Sequence, residues 1–420
     1  MSEPRHPLIR TAIVGVSGYG RWHLLMAMEQ ALVGRLQFVG ATVINQTEEA
    51  ALCARLRRQG VPVFETFDQM LTALAGRLDL VLLPTGIQWH APMTVAALAA
   101  GAHVLVEKPI AATVQEVDRI IAAQTATKRL VAVGFQDLYV PAAHDIKRRV
   151  LAGELGRLRR VTVCAQWPRS ENYFSRNSWA GRLRADGGWV LDSPVNNAFA
   201  HFLMLALFWA GTNPAEAADV VHLEAELYRA RAIESFDTVS LRARTASAVE
   251  ILFYGSHAGQ EERPPEIKIA GDRGELTWVY EKDYAISLPG VPPLKLAVAS
   301  QLETRLCVLE SVIARLRGEP AFVVTPELAR VHTRVMNALH EFFPIHAVSP
   351  PHIEVTQSHA ETFRRIRNLD AKLADAAKRH VLFSETDAPW AFRGNARSLE
   401  GYQSFAGCWS PAHPTLLSVK

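Results

Sequence analysis

From Ile9 to Phe135 short β-branched runs alternate with longer helical patterns, a rhythm that fits a parallel sheet wrapped by helices and little else. The runs predict strands at Arg10–Val14, Phe38–Ile44, Val61–Phe64, Leu80–Leu83, His103–Val106 and Leu130–Phe135, with helices over Glu48–Gln59, Ala91–Ala100 and Thr113–Thr125. Six such strands make a doubly wound α/β domain, expected over residues 1–135.

The first turn of that domain, Gly15-Val16-Ser17-Gly18-Tyr19-Gly20, leaves a strand and opens a helix. Amides at a helix start can hold a pyrophosphate, and glycines let the backbone come close, so Gly15, Ser17, Gly18, Tyr19 and Gly20 are candidate dinucleotide contacts. A plain strand-to-helix turn is the structural alternative. Ser17 stands where such loops carry their middle glycine; it adds a Cβ at the closest approach, and a hydroxyl able to bond a phosphate oxygen. After the second strand the sequence reads Ile44-Asn45-Gln46-Thr47-Glu48-Glu49. The usual ribose-binding acid is missing there, which leaves Asn45 as the polar candidate, and no arginine or lysine stands ready for a 2′-phosphate. Glu48 and Glu49 would repel such a phosphate, which favours NAD over NADP.

Two more segments reach the same sheet edge. Thr85 and His90 lie in the turn before a helix, where they either face the cofactor or cap and pack that helix. The stretch Ala102 to Ile110, AHVLVEKPI, is a buried strand that stops at Pro109, which has no amide hydrogen for the ladder. Glu107 and Lys108 therefore sit at the carboxyl edge, where open α/β sheets bind ligands; the bland alternative for Lys108 is a solvated charge.

The chain has 420 residues, too many for one ordinary core, and its balance of 49% hydrophobic and 21% charged residues with a net charge of +3 excludes disorder. Basic residues are scattered, so neither a nucleic acid nor a membrane is implied as partner. Cys53, Cys164, Cys307 and Cys408 form no CxxC pair, which argues against a zinc site and a disulfide framework and suits a reducing cytoplasm. The longest apolar run, Phe202 to Gly211, is too short to span a bilayer and reads as a buried helix. His340, His346, His352 and His359 invite a metal reading, but prolines interrupt any shared helix face, so no metal is expected and they read as surface histidines.

A second domain is expected over residues 136–345, with strands at Leu158–Ala165, Ala218–Arg229, Asp237–Arg244, Ala248–Tyr254, Glu266–Ala270 and Glu275–Tyr280. Hairpin-length connections make that sheet mostly antiparallel, and an open face makes a homo-oligomer, dimer or tetramer, the expected assembly. The loop from Gln166 carries Trp167, Arg169, Asn172, Tyr173, Arg176, Asn177, Trp179 and Arg182, aromatic faces with polar donors that suit a polyhydroxylated ligand; a domain-interface loop is the alternative. Then comes Gly187-Gly188-Trp189-Val190-Leu191-Asp192-Ser193-Pro194-Val195-Asn196-Asn197. A helix starting near Ser193 would set Asp192 and Asn196 on one face, while Asp192 as a helix-dipole partner is the structural alternative. Beyond, helices are predicted from Thr325 to Phe342 and from Gln357 to Val381, and residues 346–420 form a C-terminal helix and extended tail that clasps the core or a partner.

Taken together, GVSGYGRWH, the segment Thr85 to His90 followed by AALAAGAHVLVEKP, and GGWVLD resemble the glucose-fructose oxidoreductase and inositol dehydrogenase family, Gfo/Idh/MocA, over roughly Ile9 to His340. The resemblance implies a Rossmann domain followed by an α+β domain with a large open sheet, NAD or NADP as cofactor, and oxidation or reduction of a sugar, cyclitol or related polyol. It maps the family's lysine onto Lys108, in a Lys108–Pro109 bond that can be cis. The family's Asp-x-Gly-x-His falls on Asp192 to Asn196, with Pro194 in place of the glycine and Asn196 in place of the histidine.

On this reading Lys108 exchanges the hydroxyl proton, Asp192 orients Lys108 or substrate, and Asn196 holds a neighbouring oxygen without exchanging protons. Trp167, Tyr173, Trp179, Arg182 and Asn197 are the substrate-binding candidates. Two other functions remain open: a redox-neutral NAD-dependent sugar-modifying enzyme, of glycoside-cleavage or epimerisation type, and a catalytically inactive nucleotide-binding protein.

Overall fold

The computed structural model describes residues 7–410 and divides into two compact units. The first holds the chain up to Ala111, Gln115–Val140 and Gln301–Arg330; the second holds Ala112–Val114, Pro141–Ser300 and the chain from Val331 onward.

In the first unit the strands are β1 (Ile9–Val14), β2 (Leu36–Thr42), β3 (Val63–Phe64), β4 (Leu80–Leu83), β5 (His103–Val106) and β6 (Val131–Val133). They pair all in parallel in the order β3-β2-β1-β4-β5-β6. A parallel sheet buries both faces, which is why β4 reads Leu-Val-Leu-Leu without alternation and is wholly buried. Helices α1 (Gly20–Leu32), α2 (Ala50–Arg58), α3 (Phe67–Ala73), α4 (Ile87–Ala99) and α5 (Val114–Thr127) connect the strands. Strand β2 stops at Thr42 rather than Ile44, whose side chain is 87% exposed. Helix α4 begins at Ile87, four residues before its predicted start, so His90 sits in its first turn.

The second unit opens with α6 (Pro141–Leu151), β7 (Leu158–Gln166), α7 (Glu171–Ser175), the small hairpin of β8 (Arg184–Ala185) and β9 (Gly188–Trp189), and α8 (Ala200–Ala210). Strands β10 (Val220–Arg229), β11 (Thr238–Thr245), β12 (Glu250–Ser256), β13 (Arg263–Gly271), β14 (Glu275–Val279), β15 (Asp283–Leu288) and β16 (Val291–Ala297) follow. Next come α9 (Gln301–Leu316) and α10 (Pro326–Phe342), then β17 (Ile345–Ala347), β18 (Ile353–Ser358), β19 (Glu361–Ile366), α11 (Leu369–Arg379) and β20 (Arg397–Ser398). The large sheet runs β16-β15-β14-β13-β7-β12-β11-β10-β17, with β20 also on β10. Most ladders are antiparallel, but β7–β12 and β10–β17 are parallel. Helix α8 is buried along its whole length, as its unbroken apolar sequence requires, and packs on β7, β12 and β13.

The structure corrects two expectations here. Residues 357–381 are not one helix: β18 and β19 form a hairpin, and only Leu369–Arg379 is helical. His359 and Ala360 take positive φ at the hairpin turn and Asn368 does so before α11, so the chain reverses twice without a glycine to announce it. His340 is not on the surface; it is buried against Met336 O and Phe236. Over β10–β12 part of one face of the large sheet is covered from within the chain. There Tyr228, Leu252 and Tyr254 are sealed by Leu369, Leu373, Ala376, Phe383 and Trp390 of the same chain. The tyrosine hydroxyls are not wasted in this apolar layer: Tyr254 donates to Val381 O at 2.7 Å and Tyr228 to Phe392 O at 3.2 Å.

Among the described residues no helix is long and apolar enough to cross a membrane, the four cysteines are unbridged, and no cluster of three or more His, Cys, Asp or Glu could hold a metal ion.

Candidate active site

The glycine loop of the first unit is set by backbone geometry. Gly15 has φ +86° and Gly18 φ +54°, conformations that side chains rarely adopt. A Cβ on Gly20 would lie 2.5 Å from Gly15 O, so the start of α1 can close on β1 only with glycine there. Ser17 needs neither allowance, and its hydroxyl is used: Oγ donates to Glu49 Oε1 at 3.0 Å and accepts from Asn45 Nδ2 at 3.0 Å. Arg21 Nη2 donates to the same Glu49 oxygen at 3.0 Å, and these bonds, Arg21 first, hold the Glu49 carboxyl below its usual range. Asn45 thus buttresses the loop, and Glu49 sits beneath it as an acid that sequence reading placed only as a repelling charge. Tyr19 turns its hydroxyl to Gln136 Oε1 at 2.7 Å, and Arg305, from α9 in this unit, lies over the rings of Tyr19 and Trp22. Nothing in the local sequence around Arg305 marked it; only the return of α9 to this unit brings it there.

At the carboxyl edge of β5, Glu107 is buried and pairs with His23 Nε2 at 2.8 Å; its other oxygen accepts from the Lys108 amide at 3.2 Å. Burial alone would raise the Glu107 carboxyl, but His23, and then Lys108, outweigh it and hold it below its ordinary value. Gly134 makes room, since a Cβ there would lie 2.4 Å from Glu107 Oε1. The Lys108–Pro109 bond is cis. His90 is 1% exposed and faces backbone, with Nδ1 2.7 Å from Pro109 O and Nε2 3.1 Å from Thr85 O. Burial pushes its pKa down, and the neutral ring carries a single N–H, so it donates to one of these two carbonyls at a time. Thr85 Oγ1 is buried with no hydrogen-bond partner among the described residues. An orphaned hydroxyl at the sheet edge next to a tight glycine loop is what a bound dinucleotide would satisfy, so the residues present fit that group.

The second unit has a small, largely apolar pocket lined by Phe174, Pro194 and Phe236, at which polar groups of Tyr173, Asp192, Ser193, Asn197 and His257 meet beside Gly181. Leu191 takes φ +51°, turning Asp192 inward. There Asp192 accepts from the Gly181 amide at 2.6 Å and from Asn197 Nδ2 at 2.9 Å. The helix predicted from Ser193 does not form; residues 194–199 are turns, and α8 starts at Ala200. The expected pairing of Asp192 with Asn196 is therefore replaced by Asp192 with Asn197. Asn196 is 1% exposed and gives its amide to Val190 O and Leu191 O, which makes it a support of the turn. Trp167 is part of the aromatic core with Phe199, Phe202 and Tyr280. Arg182 is exposed beside Glu234, and Trp179 lies under Arg176. His257, at the end of β12, was missed by sequence reading because its position follows only from the parallel pairing of β12 with β7. Its Nδ1 lies 2.8 Å from Trp167 O, and burial, then Arg169, push its pKa down to about 3, so it is a neutral acceptor at the pocket.

A six-stranded parallel sheet with a glycine-rich first turn and a ligand edge at β4–β5 defines a Rossmann dinucleotide-binding protein, here continued by a large mixed sheet with a second pocket. The oxidoreductase-family model with an NAD-binding Rossmann fold matches residues 9–135 and the GFO/IDH/MocA C-terminal domain model matches residues 144–277; the chain belongs to this family. It is 32% identical to inositol 2-dehydrogenase 4 of Saccharopolyspora erythraea over 150 residues, covering 36% of this chain and 43% of that protein. It is 28% identical to the rhizopine catabolism protein MocA of Rhizobium meliloti, over 43% of this chain and 51% of that one. The chain thus spans about half or less of the length of these curated relatives. Among solved structures, the WlbA dehydrogenase from Bordetella pertussis, in complex with NADH and UDP-GlcNAcA, aligns with a TM-score of 0.64 at 21% identity, over 79% of this chain and 95% of that one. A levoglucosan dehydrogenase in complex with NADH aligns at 0.67 and 16%, over 79% and 96%. At these identities the structural likeness speaks for the fold.

Proposed function

We propose that the chain is an NAD(P)-dependent oxidoreductase that moves a hydride between nicotinamide and a hydroxyl-bearing carbon, or its carbonyl counterpart, in a sugar, cyclitol or related polyol. The observation that carries this reading is the buried His23–Glu107 pair, which fixes the Lys108 backbone at the carboxyl edge of β5 near the orphaned Thr85 hydroxyl. When bound, the dinucleotide supplies the hydride acceptor or donor.

The loop Gly15–Gly20 would hold the pyrophosphate, and the Asn45–Ser17 hydrogen bond braces that loop. Lys108 takes the substrate hydroxyl proton during oxidation and returns it during reduction. In the second unit Asp192, held by the Gly181 amide and Asn197 Nδ2, is the group that accepts from a hydroxyl of the ligand. Ser193 Oγ, buried without a hydrogen-bond partner among the described residues, and neutral His257 are further groups for a hydroxylated ligand. Glu49 under the loop supports NAD over NADP by charge.

The test follows reduced nicotinamide absorbance while the protein meets NAD or NADP and a panel of cyclitols, aldoses and polyols. Turnover that Lys108→Met lowers about a hundredfold or more, with cofactor binding kept, supports the reading. Undiminished turnover in that variant refutes it.

A further inference from the structure

The pocket of the second unit is bordered by more positive charge than its own acids use. Arg231 is wholly buried and is answered by Asp237 at 3.2 Å and Glu171 at 3.7 Å. Glu171 also meets Arg364 at 3.2 Å. Arg169 and Arg176 have no carboxylate partner among the described residues. Instead both lie over one ring: the Arg176 guanidinium is 3.6 Å from the Tyr173 centroid and that of Arg169 is 4.9 Å from it, and Arg169 is also 5.7 Å from the Trp167 centroid. Like charges placed around one aromatic ring repel, and stacking alone offsets only a small part of that cost.

Arg169 is also held more firmly than a loop arginine needs to be. Its amide donates to His257 O at 3.0 Å and its carbonyl accepts from Arg231 Nη2 at 3.2 Å, so the backbone is pinned on both sides. Its Nε is buried and has no hydrogen-bond acceptor among the described residues. A fixed, planar donor set with an unmet N–H beside Tyr173, which lines the pocket, matches one ligand group above others: a carboxylate, which accepts from guanidinium in a planar fork. Asp192 sets a limit of one opposing negative charge against the two guanidinia, which leaves the rim net positive.

We infer that the substrate is an acidic sugar or acidic polyol, whose carboxylate is bound by Arg169, with Arg176 adding charge at the rim. This rests on the oxidoreductase reading above but is tested apart from it. Arg169 binds the substrate's anionic end and takes no part in proton or hydride transfer.

The experiment is calorimetric titration of the full chain, loaded with NADH, with glucuronate and galacturonate against glucose and galactose. The acids should bind at least about tenfold more tightly, and Arg169→Gln should remove that advantage. Arg176→Gln, at an exposed residue whose loss cannot collapse the loop, should weaken acid binding about threefold. Added salt should weaken acid binding and spare neutral binding. Equal affinity for acid and neutral sugars, or acid binding indifferent to both salt and Arg176→Gln, overturns the inference. Turnover separates the two claims. Neutral sugars oxidised while acids fail to bind would sink this inference alone, and acids bound through Arg169 without hydride transfer would sink the oxidoreductase reading alone.

Discussion

The glycine-loop edge of the first unit and the Asp192 pocket of the second are both polar sites, yet they are assembled by different means. The first is built from turns that each follow a strand directly, at Gly15, Thr85 and Lys108, and parallel pairing of β1, β4 and β5 brings those strand ends to one edge. The second gathers Tyr173 from α7, Gly181, Asp192 and Asn197 from segments on either side of the small hairpin, and His257 from just past the end of β12. Its geometry depends on side chains bonding backbone groups far away in sequence. A site of the first kind tolerates little change in backbone and fixes the cofactor; one of the second kind can change its ligand by changing side chains.

This contrast can be broken at four points. The largest effect is expected from Lys108→Met, with turnover down about a hundredfold or more and NADH affinity unchanged by fluorescence titration. Next is Asp192→Asn, which removes the charge that holds the Gly181 amide and Asn197. Here kcat/KM should fall by about tenfold to a hundredfold, with NADH binding again untouched. Were Asp192→Asn to weaken NADH as well, the two sites would not be separable in function.

Glu107→Gln should act on stability, costing about 1–3 kcal/mol in denaturant unfolding, because a buried charged hydrogen bond to His23 is lost. Its pH signature has a definite sign. The folded carboxyl is held below its unfolded value, so its contribution is complete above the unfolded value and is lost as pH falls through the folded one. The wild type should therefore lose stability more steeply than Glu107→Gln as the medium is acidified from about pH 5 downward, and parallel curves would contradict the assignment. The smallest effect is expected from Glu49→Gln, which leaves the Ser17 contact and removes a charge beneath the loop. Preference for NADH over NADPH should narrow a few-fold, read from the two dissociation constants.

How far these features were legible in the sequence follows the same division. The parallel sheet could be read because each strand is a short apolar run closed by a turn, and Gly15 and Gly20 are required by local geometry that any reader of residues can anticipate. Lys108 was found by the proline that ends its strand. The exchange of Asn196 for Asn197 was not legible, because it depends on Leu191 adopting a left-handed backbone that leucine seldom takes, which rotates the turn by one residue. The β18–β19 hairpin was hidden for a related reason, with His359 and Ala360 standing where Asn-Gly would have signalled it. Arg305 and His257 depend on which segments return to which sheet, information that no local window holds.

The cover over β10–β12 has one more consequence. Because Phe383, Trp390 and α11 belong to the chain they shield, closing that face is a unimolecular event and does not follow mass action. Its integrity should be the same in dilute as in concentrated solution, and the melting temperature of this layer should not shift with protein concentration.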